Sequence, residues 1–311
     1  MSLRSRIRRV PGVRGVRDWQ QGRLRPSDYD RAILTVSKGN TLIRNALLAG
    51  RPFMVGRSGK VELGCVDHFL RVRHTTAPKD YPRSVAFQMS NNAGFFPASN
   101  EALDRFSEEY LDAVRHLDAI GVWFNRGESV LARQFCPGAD LVPLESLEPY
   151  YDEDPWSSAL AGKTVLVIHP FSESIIENYV RSRRKLFADP RVLPDFELHV
   201  MKAVQSIAGE PAEHASWFDA LSHMKSGMEA VNFDVCIIGA GAYGLPLAAH
   251  AKQIGKMAVH MGGATQILFG IRGRRWDELE TVSSLYNDHW TRPKRSETPR
   301  QYKKVEGGAY W

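Results

Sequence analysis

The stretch Asp234-Val-Cys-Ile-Ile-Gly239-Ala-Gly241-Ala-Tyr243-Gly244 decides the fold class. Val235 to Ile238 is an unbroken apolar run, too short for a buried helix and closed by glycine, so it reads as a strand buried on both faces. The three glycines that follow permit a tight turn and open a helix. Such a turn also lets a phosphate approach the backbone N–H groups at the helix start.

The same alternation runs outward in both directions. Short apolar runs at 52–56, 84–89, 120–124, 164–168 and 257–261 read as further strands. Amphipathic stretches at about 60–73, 99–116, 173–187, 214–230, 242–254 and 264–270 read as helices. Ser27 and Thr41 are expected to cap two earlier helices. Apolar strands alternating with helices predict a Rossmann-like α/β fold with a largely parallel sheet and helices on both faces. The acidic, proline-bearing stretch 143–158 reads as a junction between two halves of a body at 27–285. The tail 286–311 carries Tyr302, Tyr310 and Trp311, which are expected to pack it back on that body.

Composition bounds the class. The chain has 311 residues, 43% hydrophobic and 24% charged, with a mean hydropathy of −0.32, which excludes a disordered chain, a coiled coil or a disulfide scaffold. No run approaches the ~20 apolar residues of a membrane span. The basic start lacks the apolar core of a secretory leader, so the chain is expected to be cytoplasmic. The net charge of +6 is uneven: residues 1–25 hold eight arginines against Asp18, which leaves the remaining chain near −1. Leu3, Ile7 and Val10 fall at helical spacing among those arginines. Residues 1–26 therefore read either as a solvated basic arm or as an amphipathic anchor for an anionic membrane surface, with nucleic acid a weaker alternative.

Three strand-end loops offer candidate ligands. The first is the 239–244 turn with Gly239, Gly241, Tyr243 and Gly244. The second follows 164–168 and contains His169, Ser172 and Ser174 at a helix start. The third holds Gly262, Gly263 and Gln266, followed by a triple-arginine turn of Arg272, Arg274 and Arg275, which is suited to clamping a diphosphate. In open α/β sheets, ligands collect at the carboxyl ends of the strands, where all three loops fall. A dinucleotide site would also need an acid ending the strand after the glycine turn, and Val259-His260-Met261 has none. This disfavours an NAD- or S-adenosylmethionine-dependent enzyme. In the first half, Arg57, Gly59, Lys60 and Glu62 form another strand-to-helix turn, with Glu62 on the same helical face as Val66 and Phe69. The ten histidines show no paired metal spacing, and Cys65, Cys136 and Cys236 read as core residues.

Arg57-x-Gly59-x-x-Glu62-Leu63, Asn92-Ala-Gly94-Phe-Phe-Pro97, the 239–244 turn and Gly262-Gly263 together resemble bacterial glycosyltransferases of the GT-D fold, which act in cell-surface glycan assembly. The resemblance spans most of residues 40–290. It implies a nucleotide-sugar donor and a glycan, lipid-linked or other large acceptor, at the inner face of a membrane. That family's pattern looks like Arg-Phe-Gly-Asp-Gly-Glu-Leu, whose acidic pair is associated with a manganese or magnesium ion and the donor. Glu62 matches the Glu. Lys60 stands where the Asp is expected, which argues against the metal and puts a positive charge in its place. Glycosyl transfer needs the departing diphosphate stabilised and an acceptor proton removed. Glu62 is the expected base, with His169 and His260 as rivals.

Overall fold

The computed structural model describes residues 23–72 and 80–311. Seven strands form one sheet in the order β3-β2-β1-β7-β6-β4-β5, every neighbouring pair parallel. They are β1 (Phe53–Arg57), β2 (Ala119–Val122), β3 (Asp140–Pro143), β4 (Thr164–His169), β5 (Glu197–Lys202), β6 (Val235–Ile238) and β7 (Met257–His260). The expected α/β class with a parallel sheet is the class observed.

The unbroken apolar character of the inner strands follows from this burial. Along β4, Val165 and Val167 enter one core while Leu166 and Ile168 enter the other. Each fully buried aliphatic side chain of this kind contributes about 1.5–3 kcal/mol. One face is covered by α2 (Lys60–Val72), α3 (Arg83–Asn91), α4 (Asn100–Val114), α5 (Glu128–Phe135), α7 (Trp217–Glu229) and α8 (Gly244–Gln253). The other face is covered by α1 (Val36–Ala49), α6 (Ser172–Leu186) and the segment from Ala264 to Trp290.

Several expectations are corrected. The stretch 84–89 is not a strand but most of α3. Its apolar run is short enough to suit either state, and Phe87 at its centre is 64% exposed. Strands β3 and β5 went unread because both are edges. β5 runs Glu-Leu-His-Val-Met-Lys, with no fully buried residue. Ser27 lies in a short 3-10 turn, and α1 begins instead after Thr35, whose side chain accepts from the Lys38 N–H. Thr41 sits inside that helix. The stretch 143–158 is a series of 3-10 turns that carries the chain from edge strand β3 back to β4. Trp156, fully buried there, donates from Nε1 to the Leu147 carbonyl at 3.2 Å. The tail lies on the body: Trp290, Glu297, Val305 and Ala309 are buried. The expected basic arm falls, apart from residues 23–26, outside the described residues. Among the described residues, no helix is long and apolar enough to cross a membrane.

The chain order places β7 between β1 and β6, so the loops after β1, β4, β6 and β7 meet at the carboxyl edge. They meet most tightly at Gly239. A Cβ there would lie 2.5 Å from the Gly262 carbonyl oxygen, 2.6 Å from Cδ2 of His169 and 2.8 Å from Oγ1 of Thr265. One of these neighbours is backbone and cannot swing aside. Gly239→Ala is therefore expected to destabilise by about 2 kcal/mol through overpacking, read as a lowered urea midpoint at unchanged slope. A midpoint within error of the parent would show that the three loops are not held this closely.

Candidate functional site

A crevice of about 1100 Å³, its open mouth included, runs along the carboxyl edge of the sheet. It is lined from β1 by Arg57, Gly59, Lys60 and Glu62, and from β4 by His169. β6 contributes Gly239, Gly241 and Tyr243, and β7 contributes His260, Gly262, Gly263 and Gln266. The structure thus brings together these twelve of the residues singled out in sequence, and Arg275 of the triple-arginine turn joins them. Five others lie outside the lining.

Ser172 and Ser174 do not face the crevice, because the start of α6 is already occupied by a carboxylate of the chain itself. Glu297 accepts from the Glu173 N–H at 2.7 Å, from the Ser174 N–H at 3.2 Å and from the Ser174 hydroxyl. A tail carboxylate caps the helix where a phosphate was expected, using the same orphan donors. Arg272 lies over the Tyr286 ring at 4.9 Å, and Arg274 donates to the Gly307 carbonyl. Gly244 serves packing: the His260 ring sits where its side chain would be, with Cε1 2.0 Å from the position of a Cβ.

Arg57 is the central cation. Its guanidinium lies across Gly262, so a Cβ at 262 would fall 2.0 Å from Nη2. Nε donates to the Met261 carbonyl at 3.4 Å, and the Trp123 ring covers the guanidinium at 4.7 Å. Among the described residues, neither Arg57 nor Lys60 forms an ion pair, so both cations are available to a ligand.

Glu62, in the first turn of α2, folds back over Gly59. A Cβ at Gly59 would meet Oε2 at 2.1 Å, so the missing side chain makes room for the carboxylate. Burial pushes the Glu62 carboxyl above the usual carboxylate range, against the opposing pull of its own backbone N–H and of Arg57. The two histidines are neutral and hold opposite tautomers. His169 Nδ1 accepts from the Phe171 N–H at 3.0 Å, which leaves the proton on Nε2. His260 Nδ1 lies 3.2 Å from the Ile238 carbonyl, to which only an N–H can donate, so Nε2 keeps its lone pair. Burial lowers both to about 3, aided at His260 by the Arg57 charge.

Further groups complete the site, of which Tyr110, Ser58, Trp123 and Glu128 were missed by the sequence reading. Oε1 of Gln266 is buried in the lining without a hydrogen-bond partner, and the buried Tyr110 and Tyr243 hydroxyls have only Ser58 and Ser206 beside them, short of full hydrogen-bond geometry. Trp123 is held by Glu128, which is fully buried. Its Oε2 accepts from Tyr29 at 2.7 Å and from the Trp123 and Phe124 N–H groups at 2.9 and 2.7 Å. The bonds hold Phe124 in the left-handed region at φ 62°. The only sequence signal was an acid opening an amphipathic helix after Gly127.

Among the described residues, no group of three or more His, Cys, Asp or Glu side chains is placed to hold a metal ion. Glu62 is flanked by Arg57 and Lys60, so these residues do not fit a manganese or magnesium ion.

The buried histidines generate a pH prediction. Their folded pKa of about 3 lies below the unfolded value near 6.5, so the unfolded chain takes up protons first. The stability they contribute is complete above pH 6.5 and lost as pH falls toward 3. The expected slope is up to about 1.4 kcal/mol per pH unit for each histidine. Urea unfolding from pH 7 to 4 reads it, and a His169→Gln, His260→Gln double variant should flatten the acid limb. An equally steep limb in that variant would assign the acid lability elsewhere.

No protein-family model matches the chain, and no curated protein matches it. Two solved structures are similar, each covering 86% of this chain and 93% of their own. One is described as the selenomethionine-substituted structure of domain of unknown function 1792, at 13% identity and a TM-score of 0.45. The other, at 12% identity and a TM-score of 0.43, is described as that highly conserved domain having a distinct glycosyltransferase fold. At this level of identity, the chemistry has to be read from the side chains themselves.

Proposed function

We propose that the protein is a glycosyltransferase that takes a nucleotide-sugar donor in the carboxyl-edge crevice. One observation carries the reading: two cations that form no ion pair among the described residues, Arg57 and Lys60, line the crevice with a carboxyl of raised pKa, Glu62, and with buried hydroxyl and amide groups whose hydrogen bonding is incomplete. Each such group costs about 1–3 kcal/mol while unsatisfied, and a ligand rich in hydroxyls recovers that cost. The cations suit the diphosphate of the same ligand.

In the proposed reaction, an acceptor hydroxyl oxygen bonds to the anomeric carbon of the donor. The bond from that carbon to the diphosphate oxygen breaks, and the nucleoside diphosphate leaves with the electron pair. Arg57 and Lys60 offset the charge that develops on it. Glu62 takes the proton of the attacking hydroxyl. The raised pKa makes it a stronger base than an ordinary carboxylate, whereas His169 and His260, lowered to about 3, are weak bases at neutral pH. The acceptor is a glycan, a lipid-linked glycan or another large hydroxyl-bearing molecule, and the basic residues 1–25 are suited to an anionic membrane surface that carries it. An NAD- or S-adenosylmethionine-dependent reading lacks the ribose-binding acid: β7 ends at His260, followed by Met261.

A panel of nucleotide sugars, NAD and S-adenosylmethionine tests the proposal by thermal shift. A ligand at a hundred times its dissociation constant adds about 2.7 kcal/mol. Stabilisation is expected from a nucleotide sugar and not from the other two. With the responding donor, Glu62→Gln should reduce transfer at least about 100-fold. The melting temperature should stay unchanged or rise, because the variant removes a carboxyl whose ionised form burial disfavours. The parent's rate should fall on acidification, with a midpoint above 4.5, as the Glu62 carboxylate is protonated. Full turnover in Glu62→Gln would remove Glu62 from the chemistry, and stabilisation by NAD alone would overturn the reading.

A further inference from the structure

One part of the crevice lining comes from the tail, and it holds an ion pair that the donor-binding reading above leaves unused. Arg275 and Glu306 both line the crevice and bond to each other through Nη2 and Oε2. Arg275 is further held by Tyr310: its Nη1 lies 3.4 Å from the Tyr310 hydroxyl, and its guanidinium stacks 4.9 Å from the ring. The same ring packs on the β7 turn so closely that a Cβ at Gly263 would lie 2.6 Å from it. Arg275 therefore stands next to the Gly262–Gly263 turn across which Arg57 lies.

Glu306 is held there unusually. Its φ is +48°, and Gly307 and Gly308 follow at +70° and +86°. A non-glycine residue in this region carries strain and points to a role for its side chain. The ties on either side hold the backbone of the segment: the Asn91 side-chain Nδ2 donates to the Lys304 carbonyl before it, and the Arg275 backbone N–H to the Ala309 carbonyl after it, at 3.0 and 2.9 Å. The segment can thus release its carboxylate while both ends stay attached.

The charges of the crevice account for the arrangement. Its charged lining side chains are Arg57, Lys60, Glu62, Arg275 and Glu306. Glu306 is the carboxylate that already has a cation as partner. Its oxygen sits on Arg275 where an oxygen of an anionic ligand would bind, and when it leaves, three cations surround the crevice.

We infer that Arg275 is a further ligand for the diphosphate of the donor, and that Glu306 is a resident anion that occupies it until the diphosphate arrives. The inference rests on the donor-binding reading above. Entry of the diphosphate exchanges one carboxylate–guanidinium bond for a phosphate–guanidinium bond, and the Glu306 carboxylate turns to solvent. The exchange also favours the intact donor over a neutral sugar, which cannot displace the carboxylate.

Calorimetric titration with uridine, guanosine and thymidine diphosphates and with inorganic pyrophosphate tests this on the full chain. The proteins compared are the parent, Arg57→Gln, Arg275→Gln and Glu306→Gln. Glu306→Gln should bind the responding diphosphate about fivefold to tenfold more tightly than the parent, Arg275→Gln about tenfold more weakly, and the double variant as Arg275→Gln alone. Glu306→Asp, which keeps the charge and shortens its reach, should fall between parent and Glu306→Gln and covers the case in which the glutamine variant folds poorly. If Arg57→Gln loses binding while the Arg275 and Glu306 variants match the parent, the crevice binds diphosphate and the exchange is wrong. If Glu306→Gln binds more weakly and melts lower, the pair is only a structural tie and the inference is overturned. If no protein in the set binds any of the four probes, the donor-binding reading falls and this inference with it.

Discussion

The structure of the candidate site depends on one constraint: the Arg57 guanidinium lies in the space that a side chain at residue 262 would fill. This follows from strand order, because β7 inserts between β1 and β6 and pairs Gly56 with His260. The residues one step beyond the pairing, Arg57 and Met261, then meet at the edge of the sheet, and the Met261 carbonyl receives Nε of Arg57. Trp123, from the neighbouring β2, closes over the cation, and the buried Glu128 holds the corner that presents Trp123. Removing the glycine, the carbonyl or the ring would each free the guanidinium to find a carboxylate elsewhere.

That cation also sorts the titratable groups around it. Its charge lowers His260 further than burial alone does, and opposes the upward shift that burial gives Glu62. The result is a crevice with two neutral histidines of opposite tautomer and one carboxyl of raised pKa beside Arg57 and Lys60, which form no ion pair among the described residues. Perturbed titratable groups gathered in one cleft are a common mark of a functional site.

The tail converts an open edge into a crevice. Glu297 takes up the donors at the start of α6, which would otherwise attract anions, so one of the two helix starts that sequence singled out for phosphate is closed. Tyr310 and Trp311 then wall the remaining opening, with Trp311 against Phe171 at 5.9 Å. The crevice that remains is floored by the loops after β1, β4, β6 and β7 and walled by Tyr110, Trp123 and the tail.

Sequence alone determined the class of fold and the glycine, histidine and charged residues that the inner strands bring to the crevice. Inner strands of a parallel sheet are buried on both faces, so they are apolar without interruption, and the glycines that end them mark where loops approach one another closely. From β1, β4, β6 and β7, Glu62, Arg57, His169, His260 and the glycines at 239, 241, 262 and 263 were legible for this reason. Strands β3 and β5 were not, because an edge strand is half solvated and mixes polar with apolar residues. Only the tertiary structure decided which candidates share a space. Ser174 and Arg274 have the right chemistry at the right ends of the strands, yet their partners come from residues 297 and 307, distant in sequence. Tyr110, Trp123 and Glu306 carry no local pattern that separates them from other tyrosines, tryptophans and charges. Their role comes from the neighbours that folding gives them, and spacing along the chain holds no information about neighbours so far away.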